Sequence, residues 1–238
     1  MNRTRLLILL LPVALVLSCR TVPPPEPLSP AQVRDAVTTL RRPLSADLAA
    51  LYRLRVPSAS NLRLSVLTLG PAGRLSINGA FGAAQTLLSW TGGAPPVLYD
   101  LRHGCRLEAA NVSALLGVTD LPLPQAILLL AGRLPALPDD EVRGLPDGRL
   151  LVQGVTWACV VSVRPEPWRV SAVEQVPARG SEGWSITVRD HALAVPSELR
   201  LEHPEGDWAE LKLVGLQWNV NESLPELPEL PLCGSEAE

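Results

Sequence analysis

Cys19 is the side chain whose neighbours give its chemistry a direction. A positive stretch, Met1-Asn2-Arg3-Thr4-Arg5, precedes an apolar run from Leu6 to Leu17 that is too short to span a bilayer comfortably. The small Ser18 ends that run, and the Cys19 thiol that follows it is a nucleophile. No other group of residues directs chemistry so clearly. His103, His191 and His203 are the only imidazoles, and no two have metal-ligand spacing, so no metal site is expected. Asp190-His191 is a tempting pair, but neighbours on a strand point to opposite faces. Asp139-Asp140-Glu141 reads as a solvated acidic loop and Gly180-Ser181-Glu182-Gly183 as a turn. There is no nucleophile elbow, phosphate loop or dinucleotide fingerprint, so no catalytic residue, cofactor or enzymatic activity is expected.

The string Val16-Leu17-Ser18-Cys19 resembles a bacterial lipobox. That resemblance implies removal of residues 1–18 and lipidation of Cys19. Each buried methylene of the attached chains contributes about 0.8 kcal/mol, so two or three chains hold a protein on a membrane stably. Residues 19–29 continue as a Pro-rich linker, Val22-Pro23-Pro24-Pro25-Glu26-Pro27, which favours extended polyproline geometry and acts as a stiff spacer.

Composition bounds the rest of the chain. A chain of 238 residues is long enough for one substantial core, expected over 30–232 with a tail at 233–238. The net charge of -3 offers no basic field for nucleic acid. Three cysteines remain after Cys19, namely Cys105, Cys159 and Cys233, and outside the cytoplasm one pair could form a disulfide, with three pairings open.

Ser29 followed by Pro30 predicts a helix start, and Val33, Ala36, Val37, Leu40 and Leu44 recur at helical spacing, with Arg34, Asp35, Arg41 and Arg42 on the wet side. Strands with alternating apolar positions come next. Leu62, Leu64, Val66 and Thr68 form one face, a turn at Gly70-Pro71-Ala72-Gly73 leads to Leu75 and Ile77, and Thr86 to Trp90 and Val97 to Leu101 continue the meander. Residues 108–117 and 122–132 break the pattern with apolar residues at helical spacing, giving two short, very apolar helices. Beyond Pro138, tight turns separate Leu150 to Val163, Trp168 to Gln175, Trp184 to Val188, Leu199 to Leu201 and Trp208 to Val220. The tail, Leu224-Pro225-Glu226-Leu227-Pro228-Glu229-Leu230-Pro231, cannot be an interior strand because proline withholds ladder donors, so it is expected along a sheet edge.

Three stretches then carry a resemblance. Leu98-Tyr99-Asp100, the segment from Leu121-Pro122-Leu123-Pro124 to Gly132-Arg133-Leu134-Pro135, and Trp218-Asn219-Val220-Asn221 with Leu224-Pro225 are similar to parts of the LolA/LolB superfamily of periplasmic lipoprotein carriers. The resemblance implies a mainly β chain: a curved antiparallel half-barrel capped by an N-terminal helix and two short lid helices, with an apolar cavity for acyl chains of lipids or lipoproteins. The lipobox points to the lipoprotein branch, LolB. Arg20, where Asp would signal inner-membrane retention, points to the outer membrane, facing the periplasm, with a periplasmic carrier or envelope protein as partner. Candidate lid residues are Val112, Leu115, Leu116, Ile127, Leu129 and Leu130, and candidate wall residues are Leu64, Val66, Ile77, Trp90 and Trp157. One departure is Pro71-Ala72-Gly73, where such proteins present a leucine; the smaller Ala72 forfeits roughly 1.5–3 kcal/mol of apolar burial. The competing expectation is an envelope scaffold whose sheet is fully packed, its tryptophans filling the core, and whose loops bind protein partners.

Overall fold

A computed structural model describes residues 27–42, 47–79, 82–92, 94–108, 115–177, 183–192, 195–221 and 223–234. Cys19, Leu44, Phe81 and Val112 lie outside the described residues, as does most of the first expected lid helix. The first element is helix α1, Pro30–Leu40. Ser29 and Gln32 form a reciprocal capping box, Ser29 Oγ accepting from the Gln32 amide (3.3 Å) and Gln32 Oε1 from the Ser29 amide (2.8 Å), and Pro30 occupies the first turn, where no amide donor is needed. The helix buries Ala36 and Leu40 and ends at Leu40, short of the expected Leu44.

Thirteen strands then form one unclosed, curved antiparallel sheet. Six run as a meander: β1 (Leu48–Val56), β2 (Ala59–Leu69), β3 (Ala72–Asn78), β4 (Ala84–Trp90), β5 (Val97–Asp100) and β6 (Cys105–Glu108). After helix α2 (Leu123–Leu130) come β7 (Glu141–Gly144), β8 (Leu150–Gln153), β9 (Ala158–Arg164), β10 (Arg169–Gln175), β11 (Ser185–Ala192), β12 (Val195–Glu202) and β13 (Trp208–Trp218). The spatial order, β6-β5-β4-β3-β2-β1-β13-β12-β11-β10-β9-β8-β7, shows two meanders joined at one seam, β1 against β13. Strand β1, at the centre of the sheet, and the short edge strands β6 and β7 are absent from the sequence expectation. Leu150 to Val163, expected as one strand, is the hairpin β8–β9.

One face of the sheet holds the core. Leu48, Ala50, Tyr52 and Leu54 of β1 alternate with more accessible neighbours, and Leu64, Val66, Leu75, Leu88, Leu199 and Leu211 face them, all 5 % exposed or less. On β13 a bulge at Val214 is needed to keep this pattern. The register steps from Leu51↔Gly215 to Tyr52↔Leu213, so Leu213 and Leu216, three apart and bound for opposite faces in a regular strand, both pack on the core while Val214 is turned out. Helix α1 lies against β7 and α2 against β12. Tyr52, fully buried beneath α2, places its hydroxyl 3.5 Å from the Leu130 carbonyl and 3.4 Å from that of Pro196.

The C-terminal segment acts as a strap. From the end of β13 it reaches β3, where Arg74 donates to the Pro225 carbonyl (2.6 Å), and then the edge strand β6, where the Arg106 amide donates to Pro231 (2.8 Å) and the Cys233 amide to Arg106 (2.9 Å). A disulfide, Cys105–Cys233, fixes its end. The expected edge placement thus holds at β6 through a single parallel bridge, Arg106↔Leu232. Arg74 alternates with the core residue Leu75, so the strap passes on the outer side of the sheet. Leu87 and Tyr99, which alternate with Leu88 and Leu98 and so face the same side, are nevertheless 7 % and 6 % exposed.

Candidate functional site

Because strands alternate in direction, the β2–β3, β4–β5, β7–β8 and β9–β10 turns all lie at one end of the sheet. At that end α2 stands away from the strands, leaving an apolar hollow of about 560 Å³. Its walls come from separate parts of the chain: Pro71 in the β2–β3 turn, Trp90 and Pro96 around the β4–β5 loop, Leu123 and Ile127 on α2, and Leu137 beyond it. The β2–β3 turn is held because the Asp47 carboxylate accepts from the Gly70 amide (2.8 Å), with Gly70 in the left-handed region at φ 56°. Gly73 has no side chain for a second reason: a Cβ there would fall 2.2 Å from the Trp90 ring, so its absence lets the indole lie across β3. Among the described residues, the only side-chain oxygens on the walls are the hydroxyls of Thr68 and Thr91, and Thr68 is committed to the Leu48 amide (3.2 Å).

The far wall is positioned by an arginine. Arg41, expected on the wet side of α1, instead reaches the carbonyls of Leu137 (2.6 Å), Pro138 (2.7 Å) and Asp140 (2.5 Å). The Asp140 carboxylate accepts from the Leu137 amide (2.7 Å) and Gln125 (3.3 Å), tying this loop to α2. Asp140 is therefore a structural acceptor and not simply a solvated acid.

The candidate residues separate into groups. Trp90 and Ile127 border the 560 Å³ hollow. Leu64, Leu115, Leu116, Leu129 and Leu130 border a different space, the interior between sheet and α2, where only about 40 Å³ is left open. Val66 and Ile77 are buried core residues on the same inner face of the sheet. Trp157 packs on the core beside Gly154 in the β8–β9 hairpin, at the end of the sheet away from the hollow. Ala72 does not sit on a projecting loop, since it pairs with Leu69 as the first residue of β3, and the turn itself is Gly70-Pro71. The walls that sequence reasoning missed, Pro71, Pro96 and Leu137, read there only as turn and loop residues.

The remaining reactive groups are placed elsewhere. His103 is exposed and pairs with Asp100 (2.7 Å), whose carboxyl that hydrogen bond holds below the usual carboxylate range. Cys159 is a buried free thiol, pushed up to about 12 by burial and by the nearby Asp140 charge, and so is inert as a nucleophile. Among the described residues no helix is long and apolar enough to cross a membrane, and no group of three His, Cys, Asp or Glu side chains is arranged to hold a metal ion. Comparison with protein-family models and with curated proteins finds no match to this chain.

Proposed function

We propose that this chain is an outer-membrane lipoprotein, anchored through Cys19 and facing the periplasm, whose curved sheet forms a half-barrel capped by helices and shelters an acyl chain of a lipid or lipoprotein without covalent chemistry. The observation that carries the reading is the 560 Å³ apolar hollow between α2 and the β2–β3 and β4–β5 turns. Its size lies within the range of roughly 300–1,000 Å³ typical of small-molecule sites, and its walls offer almost no polar group for a polar ligand. Affinity would come from nondirectional burial of methylenes. Position supports the same reading. Gly148, in the β7–β8 turn, packs against the backbone of Pro27, so the segment leading to Cys19 leaves from the end at which the hollow opens. A lipid anchor would then turn the opening toward the bilayer.

The test is photo-crosslinking of a diazirine-bearing palmitate analogue to the full chain in lipid nanodiscs, with the labelled peptides mapped by mass spectrometry. Labels are expected on Trp90 to Pro96 and Leu123 to Leu128. Ile127→Glu would set a carboxylate into the hollow and exclude about three methylenes, worth ~2.4 kcal/mol, which cuts labelling more than tenfold. Unchanged labelling in a variant that melts like the parent would remove the hollow from consideration. A packed scaffold is the second reading, and the near-filled 40 Å³ interior favours it; under that reading no segment is labelled above background.

A further inference from the structure

A second hollow, of about 220 Å³, lies beside the β9–β10 turn, and its lining is polar where that of the first is apolar. Arg164, Arg169, Ser171, Arg189 and His191 border it. Arg164 and Arg169 are direct cross-strand partners, an arrangement in which like charges repel across a few ångströms. Among the described residues neither has a carboxylate partner, whereas Arg189 is paired with Glu198 (3.2 Å). Two nitrogens here, Arg169 Nε and His191 Nε2, are buried with no hydrogen-bond partner. Arg169 Nε is always a donor, and buried donors are almost always satisfied, so its lack of a partner in this hollow points to a missing acceptor; His191 Nε2 donates only when it carries the proton.

The backbone is shaped for this. The ladder slips between Val170 and Ala172, leaving Ser171 as a bulge residue on β10. It slips again between Val188 and Asp190, leaving Arg189 as a bulge residue on β11, and once more between Asp190 and His191. Bulges re-aim side chains, and these explain why Val188, Arg189, Asp190 and His191 all border one space. Strict alternation would have sent Asp190 and His191 to opposite faces; the slipped register brings them to one hollow instead.

We infer that this hollow is a binding site for a phosphate group, held by Arg164 and Arg169 with His191 as a further donor, the Ser171 hydroxyl being already donated to the Ser162 carbonyl (3.1 Å). The donors come from three strands and surround the space, which suits a tetrahedral oxyanion better than a planar carboxylate, and guanidinium groups match phosphate oxygens closely. Two carboxylates, Glu166 and Asp190, also border the hollow and offset part of its positive charge. His191 has a lowered pKa, chiefly because of burial and the Arg169 charge, opposed by Asp190 and by a hydrogen bond to the Val170 backbone, with Arg164 adding weakly to the lowering. A bound anion would oppose that shift and favour the protonated ring, whose Nε2–H could then donate to it. The site lies at the same end of the sheet as the departing anchor segment, so the phosphate could belong to a lipid headgroup or be free in solution. This inference stands independently of acyl binding in the apolar hollow.

The experiment titrates the full chain in maltoside micelles, which contain no phosphorus, with inorganic phosphate and with dioctanoyl phosphatidic acid, by calorimetry. Saturable binding with Kd below ~10 mM is expected, and Arg164→Gln and Arg169→Gln should each weaken it about tenfold. Tighter binding of phosphatidic acid that survives Ile127→Glu would identify a headgroup, and equal affinities would identify free phosphate. Arg164 is exposed, so its variant keeps the test alive if Arg169→Gln fails to fold. In parallel, the His191 ring titration followed by NMR should move to higher pH when phosphate is added. Absence of saturable binding of either ligand, or binding unaffected by Arg164→Gln, would overturn the site, as would a His191 titration that phosphate leaves unmoved.

Discussion

The disulfide between Cys105 and Cys233 joins positions 128 residues apart, and its removal gives the sharpest quantitative test of the fold. Cross-linking so long a loop restricts the unfolded chain strongly: loop-closure entropy gives about 5 kcal/mol at 25 °C as an upper value, and loss of native disulfides costs about 2–5 kcal/mol in practice. In a chain of this size each kcal/mol moves the thermal midpoint by roughly 2–4 °C, so Cys105→Ser/Cys233→Ser should melt roughly 4–20 °C lower. The native state should change too, and locally. With its end freed, the strap loses its covalent fastening to β6 and is left with noncovalent contacts, among them those of Pro225 with Arg74 and of Pro231 and Cys233 with Arg106, so Leu87 and Tyr99 on the outer side should become more accessible and edge strand β6 less well covered. Full exposure of either side chain would cost a further ~1.5–3 kcal/mol. The assay is thermal unfolding of the full chain against the double-serine variant, with hydrogen exchange to locate the change. Protection should fall in β4 to β6 and stay unchanged in β10 to β12. A midpoint shift below ~2 °C with unaltered exchange would refute both the strap and the entropy argument.

Leu64→Ala should destabilise by ~2–5 kcal/mol in urea unfolding, since Leu64 is buried beside the 40 Å³ interior space and its loss enlarges a void that tightly packed neighbours cannot fill. At high pH the buried Cys159 thiol keeps a proton in the folded chain that the unfolded chain releases near the ordinary value of 9.0, so stability falls as pH rises from 9 toward about 12. That loss amounts to about 4 kcal/mol at most; Tyr52, also raised by burial, adds to it above pH 10, and Cys159→Ala should flatten the part between pH 9 and 10 in urea titrations at stepped pH. Arg41→Met removes the cation from the carbonyls of Leu137, Pro138 and Asp140, and should cost ~1.5–3 kcal/mol and raise hydrogen exchange in residues 134–140, the segment that walls the apolar hollow.

Alternation in a sequence reports which face a residue occupies, and it does so faithfully in β2 and β3: Leu62, Leu64, Val66 and Thr68 share one side of β2, and Leu75 and Ile77 meet them across the pair. Ser29 with Pro30 marks α1, and Pro124 with Gly132 brackets α2, because caps and breakers act over a few residues. Alternation does not name a neighbour. Strand β1, Leu-Ala-Ala-Leu-Tyr-Arg-Leu-Arg-Val, is built of residues that also suit a helix, and its state is decided by pairing with β13 at the far end of the chain. The same nonlocality hides the apolar hollow: Trp90 and Ile127 are legible as apolar, but Pro71, Pro96 and Leu137 become its walls only when two turns and a loop meet. Conversely, the leucines expected to line a cavity mostly fill it, since the outline of an interior depends on how closely α2 approaches the strands, a distance that no single segment encodes. The polar hollow is harder still to foresee. Ser171 and Arg189 in its lining are bulge residues, and a bulge such as Arg189 looks in sequence like any other strand position; it shows only as a slip in the pairing of β11 with β12. Arg164 and Arg169, by contrast, sit in register as cross-strand partners, and the hairpin that pairs them keeps two positive charges close together with no carboxylate partner among the described residues, which is the condition a site for an anion requires.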